Sequence, residues 1–137
     1  EEFRQVIARF SDTPVFVGGK SMGGRVASMI AADPQGGDDI AGLVCLGYPF
    51  HPPGKPDTVR TSHLPAITCP ALIVQGERDP FGNADDVSAY GLPAGMQVFW
   101  SAFGNHDLAP PKKSGLTAQE NWSAAATAIA DFIAENT

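Results

Sequence analysis

Residues 15–28 of the chain read Val-Phe-Val-Gly-Gly-Lys-Ser-Met-Gly-Gly-Arg-Val-Ala-Ser. A short apolar run leads into a glycine-rich turn, and a helical pattern follows the turn. Ser21 lies in the turn with Gly19 and Gly23 two residues away on either side. A Gly-x-Ser-x-Gly turn between a strand and a helix is sharp and strained, and it exposes the serine hydroxyl above the end of a sheet. We predict that Gly19 and Gly23 give this turn the space it needs and that Gly24 lets the helix pack closely on its strand.

The alternative interpretation of this stretch is a glycine-rich turn that happens to contain a serine. The strand before Ser21 and the helix after it favour a nucleophilic serine instead. The start of a helix brings free N–H groups and a positive dipole end to a reacting centre. The N–H of Met22 is the first of these groups, and we predict that it donates to a developing oxyanion.

The composition indicates one acidic domain with an ordinary core. The chain has 137 residues, of which 43% are hydrophobic, and its formal net charge is −6. That charge disfavours nucleic acid as a partner. No apolar run reaches transmembrane length and no signal peptide is visible, so we expect a cytoplasmic protein without membrane contact. Cys45 and Cys69 lie in or beside apolar runs, and we expect both to be buried free thiols.

Apolar runs alternate with helical patterns along the chain. The predicted strands cover residues 15–18, 40–46, 70–75 and 96–100. The predicted helices cover residues 1–10, 22–32, 84–90 and 117–134, and Asn83 is the predicted N-cap of the third. This alternation predicts an α/β fold with a mostly parallel sheet and helices on both of its faces. We expect residues 1–137 to belong to a single domain.

The residue types of nucleophilic catalysis follow three of the predicted strands. Ser21 follows the first strand, Glu77 and Asp79 follow the third, and His106 follows the fourth. A serine nucleophile needs a base, and the base needs an acid that orients it. Because catalytic groups collect at the carboxyl ends of parallel strands, we expect Ser21, Asp79 and His106 to meet there. Asp79 lies further into its loop than Glu77, which favours Asp79 as the acid.

The loop from Gly47 to Pro65 is rich in proline and lacks periodicity. Since it follows the second strand, we predict that it lines the mouth of the site and that Tyr48, Phe50 and His51 contact the substrate. His51 and His63, both in this loop, are the weaker candidates for the base, because neither of them follows a strand at the end of the domain.

Four stretches of the sequence resemble the α/β-hydrolase superfamily. They are Gly-Gly-Lys-Ser-Met-Gly-Gly-Arg at 18–25, Gly-Tyr-Pro-Phe-His-Pro-Pro-Gly-Lys-Pro at 47–56, Gln-Gly-Glu-Arg-Asp-Pro-Phe-Gly at 75–82 and Gly-Asn-His-Asp at 104–107. More narrowly, they are similar to the dienelactone-hydrolase-like branch of small predicted hydrolases. The resemblance covers nearly the whole chain. It implies Ser21 as nucleophile, Asp79 as acid and His106 as base.

The chain departs from the pattern of the superfamily at its beginning. The superfamily places several strands before the nucleophile, whereas here Ser21 follows the first predicted strand, and the first helix has no capping residue ahead of it. We therefore expect the chain to be the carboxyl-terminal portion of a larger domain, whose earlier part carries the second oxyanion donor. The outer edge of the strand at 15–18 should then pair with that segment, with another copy of the chain or with another partner.

The function that these residues predict is a carboxylesterase-like serine hydrolase. It would cleave an ester or a similar acyl bond of a small molecule through an acyl-enzyme, with no metal or organic cofactor. The alternative is a binding or scaffolding module that keeps the hydrolase fold and has no activity, because fold alone does not fix function.

Overall fold

The computed structural model describes residues 2–10, 12–35 and 37–137, and of Asp38 only the backbone. The helices and strands are α1 (Glu2–Arg9), β1 (Phe16–Lys20), α2 (Met22–Ala31), β2 (Gly42–Leu46), β3 (Ala71–Gly76), α3 (Ala84–Tyr90), β4 (Met96–Ser101) and α4 (Ala118–Glu135). Short 3-10 turns at Gly37–Asp39, Leu64–Ala66 and Lys112–Ser114 lie in the connecting segments. The element order therefore follows the predicted alternation of strands and helices.

The strands form one parallel sheet in the order β1-β2-β3-β4. In the register of the first pair, Phe16 lies opposite Gly42 and Lys20 lies opposite Leu46. This confirms the predicted α/β fold with a mostly parallel sheet. The strand boundaries differ by one or two residues. Ile40, predicted as the first residue of β2, instead bonds back to the carbonyl of Gly37 at 3.2 Å.

Helices cover both faces of the sheet. Since successive side chains of a strand point to opposite sides, each strand contributes to two core layers. In β3, Ile73 belongs to the core layer under α2, which also holds Ala27. Leu72 and Val74 belong to the layer under α4. Within that second layer Phe132 of α4 packs edge-on against a phenylalanine of β1, with ring centroids 6.1 Å apart. Every residue of β3 is buried, as expected for an inner strand of a doubly covered sheet.

Side chains cap the N-termini of α3 and α4, and the cap of α3 is the predicted Asn83. Asn83 caps α3, accepting a hydrogen bond from the Asp86 N–H at 2.9 Å, and the Asp86 carboxylate accepts from the Asn83 N–H at 3.1 Å. This reciprocal arrangement is a capping box. Thr117 caps α4 through the Glu120 N–H at 3.1 Å. The caps fix where both helices begin.

β1 lies at one edge of the sheet, and no strand of the described part of the chain pairs with its outer side. Beside it, α1 and β1 line an apolar groove of about 420 Å³. Phe3, Val6 and Phe10 around this groove are exposed. What pairs with this edge stays a prediction. Across the described residues, no helix is long and apolar enough to cross a membrane.

The glycines around Ser21 differ in what a side chain would meet. A Cβ on Gly19 would lie 2.5 Å from the carbonyl carbon of Gly23, and one on Gly24 would lie 2.7 Å from the Gly19 oxygen and 3.3 Å from Cβ of Cys45. A Cβ on Gly23 would meet no atom of another element within 4 Å. The close approach predicted for Gly19 and Gly24 is therefore observed, whereas the expectation that Gly23 is needed for space is wrong here.

We predict opposite effects of alanine at two adjacent glycines of α2. Gly24→Ala forces a methyl group into backbone atoms and should lower the free energy of unfolding by about 1–3 kcal/mol. Gly23→Ala, the matched control, fills open space in a helix and should raise it by about 0.5–1 kcal/mol. Urea denaturation followed by circular dichroism measures both. Equal losses in the two variants would contradict the packing seen at Gly24.

Candidate active site

Ser21 lies at the junction of β1 and α2, where the backbone is strained. Its φ is 53° and its ψ is −121°, a conformation that residues with side chains rarely adopt. The turn is held from both sides: the Ser21 N–H donates to the Leu46 carbonyl at 2.8 Å, and the Ser21 carbonyl accepts from the Arg25 N–H at 3.1 Å. The strain is thus maintained by the sheet on one side and by the helix on the other.

Three loops at the carboxyl ends of strands bring Ser21, His106 and Asp79 into one chain of hydrogen bonds. Ser21 Oγ lies 2.9 Å from His106 Nε2, and His106 Nδ1 lies 2.9 Å from Asp79 Oδ2. Asp79 is fully buried, and the His106 side chain is 19% exposed. The Asp79 carboxylate can only accept a hydrogen bond, so His106 Nδ1 carries the proton and donates it. His106 Nε2 is then free to accept from the serine hydroxyl. The three residues selected from the sequence therefore meet as predicted.

The two carboxylates after β3 have different surroundings. Asp79 accepts three hydrogen bonds: from the Phe81 N–H at 2.8 Å, from Gln75 Nε2 at 3.2 Å and from His106. Glu77 is exposed, and its Oε1 accepts from the Phe103 N–H at 3.0 Å. Asp79, and not Glu77, is the carboxylate next to the histidine.

Gln75 supports the buried carboxylate and was not recognised from the sequence. Its amide is fully buried, and besides Asp79 it bonds the Tyr48 N–H at 2.8 Å, the Tyr48 carbonyl at 3.1 Å and the Gly82 carbonyl at 2.9 Å. It therefore joins the loop after β2 to the loop that carries Asp79. The signal in the sequence was a lone glutamine within the apolar run of β3.

The loop that carries His106 is strained and is held by α4. Phe103 and Leu108 both have positive φ, at 55° and 65°. Asn121, a buried residue of α4, donates to the carbonyls of Ala102 and Leu108 at 2.9 Å each. Asn121 was also missed from the sequence, where it reads as one polar position of an amphipathic helix. It fastens both ends of the loop around His106.

An ion pair lies at the rim of the site between the neighbours of Ser21 and His106. Lys20 Nζ donates to Asp107 Oδ1 at 2.6 Å, and both side chains are exposed. The hydrogen bond from Lys20, together with its positive charge, holds the pKa of Asp107 below its usual value. Since the pair is exposed, it contributes little to stability, and it leaves the rim without a net charge at this point.

The other two histidines lie outside the site. His63 Nε2 is 2.8 Å from Ser28 Oγ on α2, and burial together with the charge of Arg25 lowers the pKa of His63. His51 is buried between acceptors: Nδ1 donates to the Pro52 carbonyl at 2.8 Å and Nε2 to Asp86 at 3.2 Å. Burial is the largest single effect and lowers the pKa of His51, but these hydrogen bonds and the charge of Asp86 outweigh it and raise the pKa.

The predicted substrate contacts in the loop after β2 need correction. Tyr48 and Phe50 are completely buried and His51 is 4% exposed, so none of them offers its side chain to a substrate. Phe50 packs against Tyr48 and Tyr90, with ring centroids 4.7 and 5.5 Å apart. The aromatic rings of this loop form core because the loop folds back over α3. Its first residue, Gly47, adjoins His106.

The two cysteines are free, as expected, but they differ in burial. Cys45 is fully buried in β2, and burial raises the pKa of its thiol to about 12. It therefore remains a neutral thiol at physiological pH. Cys69 is only half-buried, which corrects the prediction that both thiols are buried.

The model of the alpha/beta hydrolase domain family matches residues 1–134. The chain belongs to this family. The four stretches on which the resemblance rested, at 18–25, 47–56, 75–82 and 104–107, all lie within the residues matched in this alpha/beta hydrolase. The narrower resemblance to dienelactone hydrolases stays a prediction.

Solved structures share the fold of this alpha/beta hydrolase. An alpha-beta serine hydrolase homologue from Coxiella burnetii is 21% identical, with a TM-score of 0.58 over 77% of this chain and 47% of that protein. The esterase domain of a Rhodothermus marinus protein is 10% identical, with a TM-score of 0.53 and coverages of 76% and 57%. A monoacylglycerol lipase from Paleococcus ferrophilus is 12% identical, with a TM-score of 0.56 and coverages of 77% and 66%. The chain therefore spans about half to two thirds of the length of these proteins.

The corrected position of Phe50 predicts a loss of stability. Phe50→Ala removes a fully buried ring from the core under the loop and should lower the free energy of unfolding by about 3–5 kcal/mol. Phe10→Ala, the same change at a side chain that is 56% exposed, should change it by less than about 0.5 kcal/mol. Chemical denaturation of both variants measures the difference. A loss for Phe50→Ala as small as that for Phe10→Ala would contradict its burial.

The pair of buried His51 and half-buried Asp86 predicts a pH dependence of stability. The pKa of His51 is raised, so protonated His51 stabilises the fold. This stabilisation is complete below the ordinary pKa of 6.5 and is lost as pH rises through the folded-state pKa. The hydrogen bond from His51 lowers the pKa of Asp86, so ionised Asp86 also stabilises the fold. This stabilisation is present above the ordinary pKa of 3.8 and is lost as pH falls through the folded-state pKa. The pair therefore stabilises the fold most between these two pH values.

Asp86→Asn keeps the capping group but removes the charge. It should destabilise the fold by about 1–2 kcal/mol more at about pH 5.5 than at about pH 8.5. Asp85→Asn, at the exposed neighbour in the same helical turn, should show no such pH dependence. Thermal denaturation across this pH range tests both variants. The pair would have to be rejected if Asp86→Asn and Asp85→Asn gave parallel curves.

Proposed function

We propose that this alpha/beta hydrolase is a serine hydrolase that cleaves an ester or a similar acyl bond of a small molecule. The observation that carries the proposal is the continuous chain of hydrogen bonds from Ser21 through His106 to the buried Asp79. In this chain Ser21 is the nucleophile, His106 the general base and Asp79 the residue that orients the imidazole.

The reaction would proceed in two halves. His106 Nε2 takes the proton of Ser21 Oγ while Oγ attacks the acyl carbon, and the protonated imidazole then gives that proton to the leaving alcohol. Water next attacks the acyl-enzyme, with His106 again acting as base, and releases the acid. The Asp79 carboxylate stabilises the imidazolium that forms in each half, and its burial in a dry site makes that interaction stronger.

The negative charge that develops on the acyl oxygen needs donors. Met22 is the first residue of α2, so its N–H belongs to the first helical turn, where N–H groups have no partner within the helix. Met22 directly follows the nucleophile in the sequence, so its N–H lies beside the strained turn at Ser21. We assign Met22 N–H as an oxyanion donor on this ground, and the dipole of α2 adds to its effect.

The proposed substrate class rests on the residues of the site and on the similarity to solved structures. A serine nucleophile with a histidine base and a buried carboxylate suits acyl transfer, and two structural neighbours are an esterase domain and a monoacylglycerol lipase. Both act on ester bonds according to their names, which supports an ester as the substrate of this chain.

Covalent labelling tests the proposed nucleophile. A serine-reactive fluorophosphonate should label the protein, and Ser21→Ala should abolish the labelling without loss of the fold, because it removes the hydroxyl and little volume. Labelling that persists in Ser21→Ala would assign the nucleophile elsewhere. A folded wild-type protein that is not labelled would favour the non-catalytic binding module instead.

The choice of acid gives a second test with a matched control. Asp79→Asn favours the wrong tautomer of His106 and should lower the rate of hydrolysis of an activated ester by about 10⁴-fold. Glu77→Gln, at the exposed rival carboxylate, should change that rate by less than about threefold. Circular dichroism confirms that both variants fold. Similar losses in the two variants would overturn the assignment of Asp79.

A further inference from the structure

We propose that Phe81 is a positioning residue for His106. Its ring holds the imidazole in the hydrogen-bonded orientation and favours the protonated form that arises during the reaction. This inference deepens the proposed function and rests on it, since it gives His106 the role of the base. It assigns to Phe81 a role that neither the sequence pattern nor the family match supplies.

The two rings are in face contact. The centroid of Phe81 lies 4.3 Å from that of His106, and the ring planes are inclined by only 31°. At this separation and inclination the imidazole lies over the face of the phenyl ring rather than at its edge. The face of an aromatic ring carries negative potential and attracts a cation within about 6 Å of its centroid. The Phe81 ring therefore stabilises an imidazolium more than a neutral imidazole.

The backbone of Phe81 is held by hydrogen bonds on both sides, which restricts where its ring can lie. Its N–H donates to Asp79 Oδ1 at 2.8 Å. Its carbonyl accepts from the His51 N–H at 3.1 Å. The carboxylate that orients His106 through Oδ2 thus also orients Phe81 through Oδ1. One buried carboxylate thus bonds both residues.

Gly47 also lies close to the imidazole. It has a φ of +63°, and a Cβ at this position would lie 3.3 Å from both Cε1 and Nδ1 of His106 and 2.9 Å from its carbonyl oxygen. A side chain here would crowd the imidazole and would need a strained backbone, which glycine avoids. The Gly47 backbone therefore lies close to the imidazole, as the Phe81 ring does.

The charged groups around His106 belong to residues other than Phe81. Asp79 faces Nδ1, and Asp107 is the next residue along the chain, where Lys20 bonds its carboxylate. Phe81 brings no charge and no hydrogen bond from its side chain. A substitution that removes only the aromatic face of Phe81 therefore leaves the charges and hydrogen bonds of the site in place.

The experiment compares wild-type protein with Phe81→Leu and Phe81→Tyr. Leucine keeps an apolar side chain of similar size without an aromatic face, whereas tyrosine keeps the face. Phe10→Leu, at the exposed phenylalanine after α1, is the control for the substitution itself. Each variant of the full chain is followed by NMR titration of the His106 imidazole and by the rate of fluorophosphonate labelling across pH.

We expect Phe81→Leu to slow labelling by about 2- to 30-fold, the range that loss of a cation–π contact gives. The acidic limb of its rate profile should move to lower pH by about 0.4–1.5 units, because neutral imidazole then persists to lower pH. The NMR titration should move in the same direction. Phe81→Tyr should restore both readouts, and Phe10→Leu should match the wild-type protein.

The result that overturns the proposal is a Phe81→Leu protein whose titration and rate profile match the wild type. Equal changes in Phe81→Leu and Phe81→Tyr would also overturn it, because packing rather than the aromatic face would then explain them. If Phe81→Leu does not fold, Phe81→Met takes its place. A shifted titration in Phe81→Leu, combined with no labelling of the wild-type protein, would support the coupling of the rings and overturn the proposed function.

Discussion

The buried carboxylate of Asp79 is the group on which the rest of the site depends. A fully buried carboxylate is costly unless donors surround it, and here the donors come from three segments: Gln75 in β3, the Phe81 N–H in the following turn and His106 in the loop after β4. Satisfying this one group therefore fixes the turn after β3, the position of the histidine and, through Gln75, the beginning of the loop after β2.

The strain in the molecule is concentrated at the residues that carry the chemistry. Ser21 has a positive φ, and so do Phe103 and Leu108 on either side of the histidine. Such conformations persist only where surrounding structure holds them. For Ser21 the holding structure is the strand pair below it and the first turn of α2. For the histidine loop it is Asn121, whose two hydrogen bonds come from a helix on the opposite face of the sheet from α2.

The polar residues of the site thus form layers. Ser21, His106 and Asp79 carry the proposed reaction, and Gln75, Asn121 and the backbone of Phe81 hold them in place. Below these lies the aromatic core of Tyr48 and Phe50, which fixes the loop that begins at Gly47. The loop after β2 therefore influences the site through packing rather than through contact with substrate. The exposed pair of Lys20 and Asp107 is the part of the site that solvent reaches most easily.

The sequence by itself determined the parallel α/β sheet, the strained turn at Ser21 and the three residues of the hydrogen-bonded chain. Apolar runs, glycine spacing and capping residues are local signals, and strand ends in a parallel sheet meet at one edge. Only the tertiary structure decided that Phe50 and His51 are buried, that Gly23 faces open space and that Gln75 and Asn121 support the site. Those outcomes depend on which side chains meet across distant segments. A proline-rich loop or a lone polar residue in an apolar run carries no periodicity from which such a contact can be read.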